Sequence, residues 1–95
     1  MFLPLDGPAV EDEISVGDTT PTELKVSSSA LEERKVVTFQ AQTGKVRWGF
    51  TNSITSSKGY RAYKYQLVTV EASADQTVYL ISEDGNVTVY FTERA

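Results

Sequence analysis

A two-residue alternation of apolar and polar side chains, repeated in short runs, constrains this chain more than any other feature. Leu24 and Val26 alternate with Glu23 and Lys25; Val37, Phe39 and Ala41 with Thr38 and Gln40; Val46, Trp48 and Phe50 with Arg47 and Gly49. Further on, Val68, Val70 and Ala72 alternate with Thr69 and Glu71, Val78 and Leu80 with Tyr79 and Ile81, and Val87, Val89 and Phe91 with Thr88, Tyr90 and Thr92. Successive side chains of a strand point to opposite faces, so each run predicts a strand with one face buried.

Turn sequences separate the runs. Gln42-Thr43-Gly44 stands at hairpin spacing, and Glu83-Asp84-Gly85-Asn86 supplies the Gly and Asn that tolerate positive φ. Ala74-Asp75 closes a third tight connection, and the polar stretch 51–65 is long enough to cross an end of the domain. A helix is conceivable only over 28–35, where Ser-Ser-Ala-Leu-Glu-Glu-Arg resembles a capped first turn. The expectation is an all-β domain: a small antiparallel β-sandwich or compact barrel of about six strands, with Phe39 and Trp48 central in its core.

The first twenty residues read differently. Pro4, Gly7, Pro8 and Gly17 interrupt them, Glu11, Asp12 and Glu13 form an acidic cluster, and no period is sustained. Residues 1–20 are expected to be an extended N-terminal arm and residues 21–95 the β-sandwich domain. The arm begins with Phe2, Leu3 and Leu5, large hydrophobes that call for a surface to dock on, either their own domain or a neighbour.

With 95 residues, 40% of them hydrophobic, the chain can build one core but not two. No stretch approaches the roughly 20 apolar residues of a membrane-spanning helix, and the start lacks a basic leader, so a soluble, unsecreted chain without membrane contact is expected. Cys and His are both absent, which removes disulfides, thiolate nucleophiles, the usual general base and the commonest transition-metal ligands. The formal charge of -4 hides a division: residues 34–70 hold seven basic side chains and no acid, while all thirteen acids lie outside with only Lys25 and Arg94. The segregation suits docking between copies or a patch for an anionic partner, unless folding mixes the charges on one surface.

The residues that remain do not assemble into chemistry. Neighbouring carboxylates such as Glu32-Glu33 and Glu83-Asp84 fall in presumed turns, where nothing walls them off to shift their pKa. Asp84-Gly85-Asn86 lacks the ligand spacing of a calcium loop, and Ser57-Lys58 are adjacent on an extended segment and point apart. No glycine pattern cradles a nucleotide phosphate. No enzyme activity, cofactor or metal is expected.

The run Gly59-Tyr60-Arg61-Ala62-Tyr63-Lys64-Tyr65 interleaves rings with cations close in sequence to Arg47 and Trp48. Single-strand nucleic-acid binders use that combination, but the overall acidity opposes it; Tyr and Arg are also the types enriched at protein hot spots. The candidate partner-binding residues are therefore Phe2, Leu3, Leu5, Glu11, Asp12, Glu13, Arg47, Tyr60, Arg61, Tyr63, Lys64 and Tyr65.

The order of segments resembles a group of small β-sandwich virion proteins of tailed bacteriophages. The resemblance runs from about Ile14 to Arg94 and is carried by Val16-Gly17-Asp18-Thr19-Thr20, Ser29-Ala30-Leu31-Glu32-Glu33-Arg34-Lys35, Val46-Arg47-Trp48-Gly49-Phe50, Ser56-Ser57-Lys58-Gly59-Tyr60, Val78-Tyr79-Leu80-Ile81 and Val87-Thr88-Val89. This chain departs from the group at Tyr60, Tyr63 and Tyr65, where other members carry smaller residues. The resemblance implies a virion location and a structural role: a capsid decoration or cement protein that binds the assembled shell, or an adaptor at the neck or tail. Its implied partners are the major capsid protein or portal and tail proteins, and further copies of itself in a homo-oligomer, with Phe2, Leu3 and Leu5 inserted into a neighbouring subunit and Glu11, Asp12 and Glu13 facing the basic middle of another copy or of the capsid. A carbohydrate-binding module, with Trp48 or the tyrosines stacked on sugar rings, is the alternative from a different class.

Overall fold

A computed structural model describes residues 9–25 and 30–95, and every strand in it follows from alternation or from pairing with a strand that alternates. In chain order the strands are β1 (Ala9–Val16), β2 (Thr22–Glu23), β3 (Val36–Ala41), β4 (Val46–Gly49), β5 (Tyr60–Ala62), β6 (Leu67–Glu71), β7 (Tyr79–Ser82) and β8 (Val87–Arg94). They form two antiparallel four-stranded sheets, A in the order β1-β8-β3-β6 and B in the order β2-β7-β4-β5. The domain is a small β-sandwich.

The inward face of sheet A presents Val37, Phe39 and Ala41 of β3 and Val87, Val89 and Phe91 of β8; Val46 of β4, Ala62 of β5 and Leu80 of β7 meet them from sheet B. Phe39 and Phe91 are direct cross-strand partners and both are sealed from solvent. Fully burying one such ring stabilises the fold by roughly 1.5–3 kcal/mol. Trp48 is not central as expected. It is half-buried at the margin of the core, edge-on to Phe39 with ring centroids 6.2 Å apart.

The runs ending at residues 41, 72, 81 and 92 become β3, β6, β7 and β8, and the Val46 run becomes β4. The first run is displaced: β2 ends at Glu23, Leu24 donates its N–H to Val78 O at 2.8 Å, and Val26 lies outside the described residues. Two strands carry no alternation strong enough to predict them. Of the segment read as an arm, residues 1–8 lie outside the described residues, and residues 9–16 run extended as β1, paired along their length with β8 from Ala9↔Arg94 to Val16↔Val87. The other, β5, is three residues long with two of them exposed.

The turn sequences are turns, but they do not make hairpins. Gln42-Thr43-Gly44 leads from β3 in sheet A to β4 in sheet B, and Glu83-Asp84-Gly85-Asn86 leads from β7 in sheet B back to β8 in sheet A. Of the consecutive strands among the described residues, only β4 and β5 pair with each other. The 51–59 loop between them folds back on sheet B: Ile54 is buried, and a Cβ at Gly49 would stand 2.8 Å from its Cγ2.

Residues 30–35 form no helix; Ser28 and Ser29 lie outside the described residues. Arg34 N–H donates to Leu31 O at 3.1 Å across a turn whose third residue, Glu33, has φ 58°. The reason lies in the Arg34 side chain, which turns inward. Its Nε donates to Ala72 O, Nη1 to Leu24 O and Glu93 Oε2, and Nη2 to Ser73 O and Gln76 O, at 2.6 to 3.2 Å. All five guanidinium donors are engaged, and the bends after β2 and β6 are tied to β8.

Candidate docking surface

The aromatic-basic run spans β5 and the connection that carries the chain from sheet B to sheet A. Gln66 N–H donates to Tyr63 O at 3.0 Å, closing a four-residue turn, and the Gln66 side chain accepts the Tyr63 N–H at 3.0 Å. Tyr65, the third residue of that turn, has φ 66°. A large side chain in the left-handed region costs on the order of 1–3 kcal/mol, and it persists only where its surroundings fix it. Here the peptide groups on both sides are clamped: Tyr65 N–H donates to Ala41 O at 2.8 Å, and Gln40 Nε2 donates to Tyr65 O at 2.8 Å. The strained backbone presents the ring to solvent, 61% exposed.

The neighbouring side chains reinforce that presentation. Lys64 Nζ lies 5.0 Å from the Tyr65 ring centroid and the Arg61 guanidinium 5.8 Å from that of Tyr63, both within cation–π range. Tyr60, 65% exposed, leans on Trp48 with centroids 5.0 Å apart, and Phe50 meets Trp48 edge-on at 5.6 Å. Gly59, with φ 136°, lets the chain enter β5 beside Trp48 O, which would lie 3.1 Å from a Cβ at that position.

Arg61 of the run and Arg47 of β4 beside it are engaged from within the chain. Arg61 grips Glu83 bidentately, Nε to Oε2 at 2.7 Å and Nη2 to Oε1 at 3.1 Å. Arg47 Nε lies 3.5 Å from the same carboxylate, while its guanidinium donates to Ser56 O and Gly59 O and so holds the 51–59 loop. The hydrogen bond from Arg61 holds Glu83 below the ordinary carboxylate pKa, with the charges of Arg47, Arg61 and Lys45 adding to it, and Glu83 in turn raises Arg61. Together with Arg34–Glu93, these pairs join three basic side chains of the middle segment to acids of the C-terminal flank. Folding thus pairs part of the charge that the sequence keeps apart, through Glu83 and Glu93.

Glu11, Asp12 and Glu13 are exposed on β1, at the opposite edge of sheet A from the tyrosine turn, and the fold does not bring the two groups together within one chain. Phe2, Leu3 and Leu5 lie outside the described residues. Three exposed apolar side chains were not singled out from the sequence: Phe50, Leu67 and Tyr90. Tyr90 carried a signal, because it alternates with Val89 and Phe91 and so faces outward; its phenol bonds to Glu11, which raises its pKa.

A depression of about 460 Å³ lies elsewhere, between Lys35, Val36, Glu71 and Gln76, and Arg34 beside it has no donor left for a ligand. Among the described residues no three acidic side chains come together to hold a metal ion, and no helix is long and apolar enough to cross a membrane. No family model, curated protein or solved structure matches this chain.

Proposed function

We propose that this chain is a non-enzymatic virion structural protein, a capsid decoration protein of a tailed bacteriophage, that docks on other virion proteins through the 63–66 turn and the rings beside it. The phage setting rests on the resemblance in segment order. The docking role rests on one observation above the others: Tyr65 is held in a strained conformation with its ring in solvent. Backbone strain clusters at functional sites, and here the strained position holds an aromatic ring in solvent, which supports a use for that ring outside the chain. Tyr63 and Tyr60 extend the same surface, and rigid Tyr side chains with nearby cations are characteristic of interface hot spots.

The engagement of Arg47 and Arg61 by Glu83 speaks against single-stranded nucleic acid as the partner, since a phosphate backbone would have to compete for them. One observation favours a second reading, a carbohydrate ligand: Tyr60 leaning on Trp48 makes an exposed ring platform. A glycan that binds the wild type and not Tyr60→Ala would favour that reading.

The docking test is co-sedimentation with phage particles that lack this chain. Combining Tyr63→Ala with Tyr65→Gly removes both rings while leaving the turn in a conformation Gly prefers. Binding should weaken by at least about 30-fold, the loss of a 2 kcal/mol hot spot. Undiminished binding by the double variant, or no binding by the wild type, would sink the proposal. The position on the particle then separates a shell protein from a neck or tail adaptor.

A further inference from the structure

Two isoleucines are buried outside the cluster that fills the space between the sheets: Ile54 of the 51–59 loop is 6% exposed and Ile81 of β7 is 2% exposed. The strand register places them. Arg47 pairs with Ile81 and with Arg61, while Val46 and Leu80, one position away on β4 and β7, face the core. Arg47, Ile81 and Gly49 therefore lie on the face of sheet B that is turned away from sheet A. Ile54 seats on that face where side chains are missing: its Cγ2 would stand 2.8 Å from a Cβ at Gly49 and 3.4 Å from one at Gly59.

The rest of the loop is held by little. Residues 51–53 and 55–58 are all exposed. Thr55 and Lys58 exchange both backbone hydrogen bonds, at 3.0 and 3.1 Å, which closes the tip on itself and not on the sheet. Among the described residues, the bond that ties 51–58 to the sheet runs from Arg47 Nε to Ser56 O at 3.1 Å, and Nη1 holds the adjoining Gly59 O at 3.0 Å. A segment with one buried side chain and few outward bonds opens at a lower free energy than the layers it rests on. Its ends decide what opening does: Phe50 immediately precedes the loop, Tyr60 immediately follows it, and both rings rest on Trp48, with centroids 5.6 and 5.0 Å away.

We propose that 51–59 is a strap that lifts from sheet B as a unit while the two sheets stay packed, and that the seating of Ile54 assembles Phe50, Trp48 and Tyr60 into one ring surface. The inference goes beyond the docking reading and holds whatever meets those rings. A partner that needs them assembled binds the fraction of chains with the strap seated, and by linkage its binding holds the strap down.

Limited trypsin cleavage after Lys58, followed by mass spectrometry, tests it. At low protease, where reclosing outruns cleavage, the rate of that cut measures the fraction of chains with the strap lifted. The wild type should be cut there while its strand signal in circular dichroism is intact. Val89→Ala truncates a side chain between the sheets; it should raise the unfolded fraction in urea yet leave the cut after Lys58 unchanged, because lifting does not pass through unfolding. Ile54→Ala should speed the cut by at least about tenfold, since it removes most of the seated side chain. Phe50→Ala should speed it by about threefold, within the range of an aromatic pair, whereas Tyr63→Ala in the neighbouring turn should not. A Val89→Ala rate that rises in step with its unfolded fraction, an Ile54→Ala rate equal to that of the wild type, or a Phe50→Ala rate no faster than that of Tyr63→Ala overturns the proposal.

Discussion

The Arg34 guanidinium donates to the Glu93 carboxylate at 2.9 Å with 1% and 0% of the two side chains exposed, which makes an ion pair part of the interior of this sandwich. Glu93 follows Val87, Val89 and Phe91 on the inward face of β8 and also accepts the Leu31 N–H at 3.0 Å. Removing one partner of a buried pair leaves an uncompensated charge, whereas replacing both with apolar groups is far better tolerated. Arg34→Met should lower unfolding free energy by about 3–5 kcal/mol in urea denaturation. Arg34→Met with Glu93→Leu should recover part of that loss but stay below the wild type, because the carbonyls of Leu24, Ala72, Ser73 and Gln76 lose their donor. A double variant no better than the single would mean that the carbonyl contacts, not the ion pair, dominate.

Tyr65 offers a comparison that separates backbone strain from side-chain packing. Alanine keeps the strain of φ 66° and removes the ring; glycine removes both. Tyr65→Gly should therefore be more stable than Tyr65→Ala by about 1 kcal/mol, the usual cost of the left-handed region reduced by the extra freedom of unfolded glycine. Equal midpoints for the two variants would show that the turn relaxes when the ring is gone.

Glu83 sets part of the acid stability. Its folded-state pKa lies below the ordinary value of 4.5, so its contribution is complete above that value and is lost as pH falls through the folded pKa. Stability of the wild type should drop on acidification below about 4.5, and Glu83→Gln should be less stable near neutrality with a shallower acid limb. Parallel acid limbs for the two proteins would remove Glu83 from the account.

Tyr90 acts at the other end of the scale. Its phenol is raised above the ordinary 10.0 chiefly by its hydrogen bond to Glu11, with burial and the charges of Glu11 and Glu13 adding to the shift. A raised pKa stabilises the fold below the unfolded value and ceases to do so as pH climbs through the folded one. In an ultraviolet titration, Tyr90 should ionise later than its ordinary value, and Tyr90→Phe should remove that late component. Glu11→Gln should move the component to lower pH.

The buried faces of β3, β4, β6, β7 and β8 were legible because alternation records which side of a strand meets the core. It does not record which strand lies alongside. The same Gln42-Thr43-Gly44 turn can close a hairpin or change sheets, and only the packing of Val46 against the opposite layer decides. β1 escaped because it is an edge strand with Glu11, Asp12 and Glu13 all in solvent, which erases the two-residue period. The exposed run 60–65 was legible from its composition, but the engagement of Arg47 and Arg61 was not, since Glu83 is distant in sequence and meets them only through the pairing of β4 with β5 and β7. Arg34 was hidden most completely. A cation in a polar stretch reads as surface until Glu93 is found 59 residues away.

The place of β8 bears on how the chain is made. It is the eighth strand in sequence and yet sits inside sheet A, with β1 on one side and β3 on the other. While the ribosome is still translating the segment before it, β1 and β3 have no common neighbour and Phe39 lacks Phe91. Before β8 emerges, β3 already has β6 to pair with and β2, β7, β4 and β5 have one another, but β1 has no neighbour; its closure onto β8, the longest in the fold, waits for that strand. A strand that waits unpaired is best served by charge, which discourages pairing with a wrong neighbour, and β1 carries Glu11, Asp12 and Glu13 in solvent.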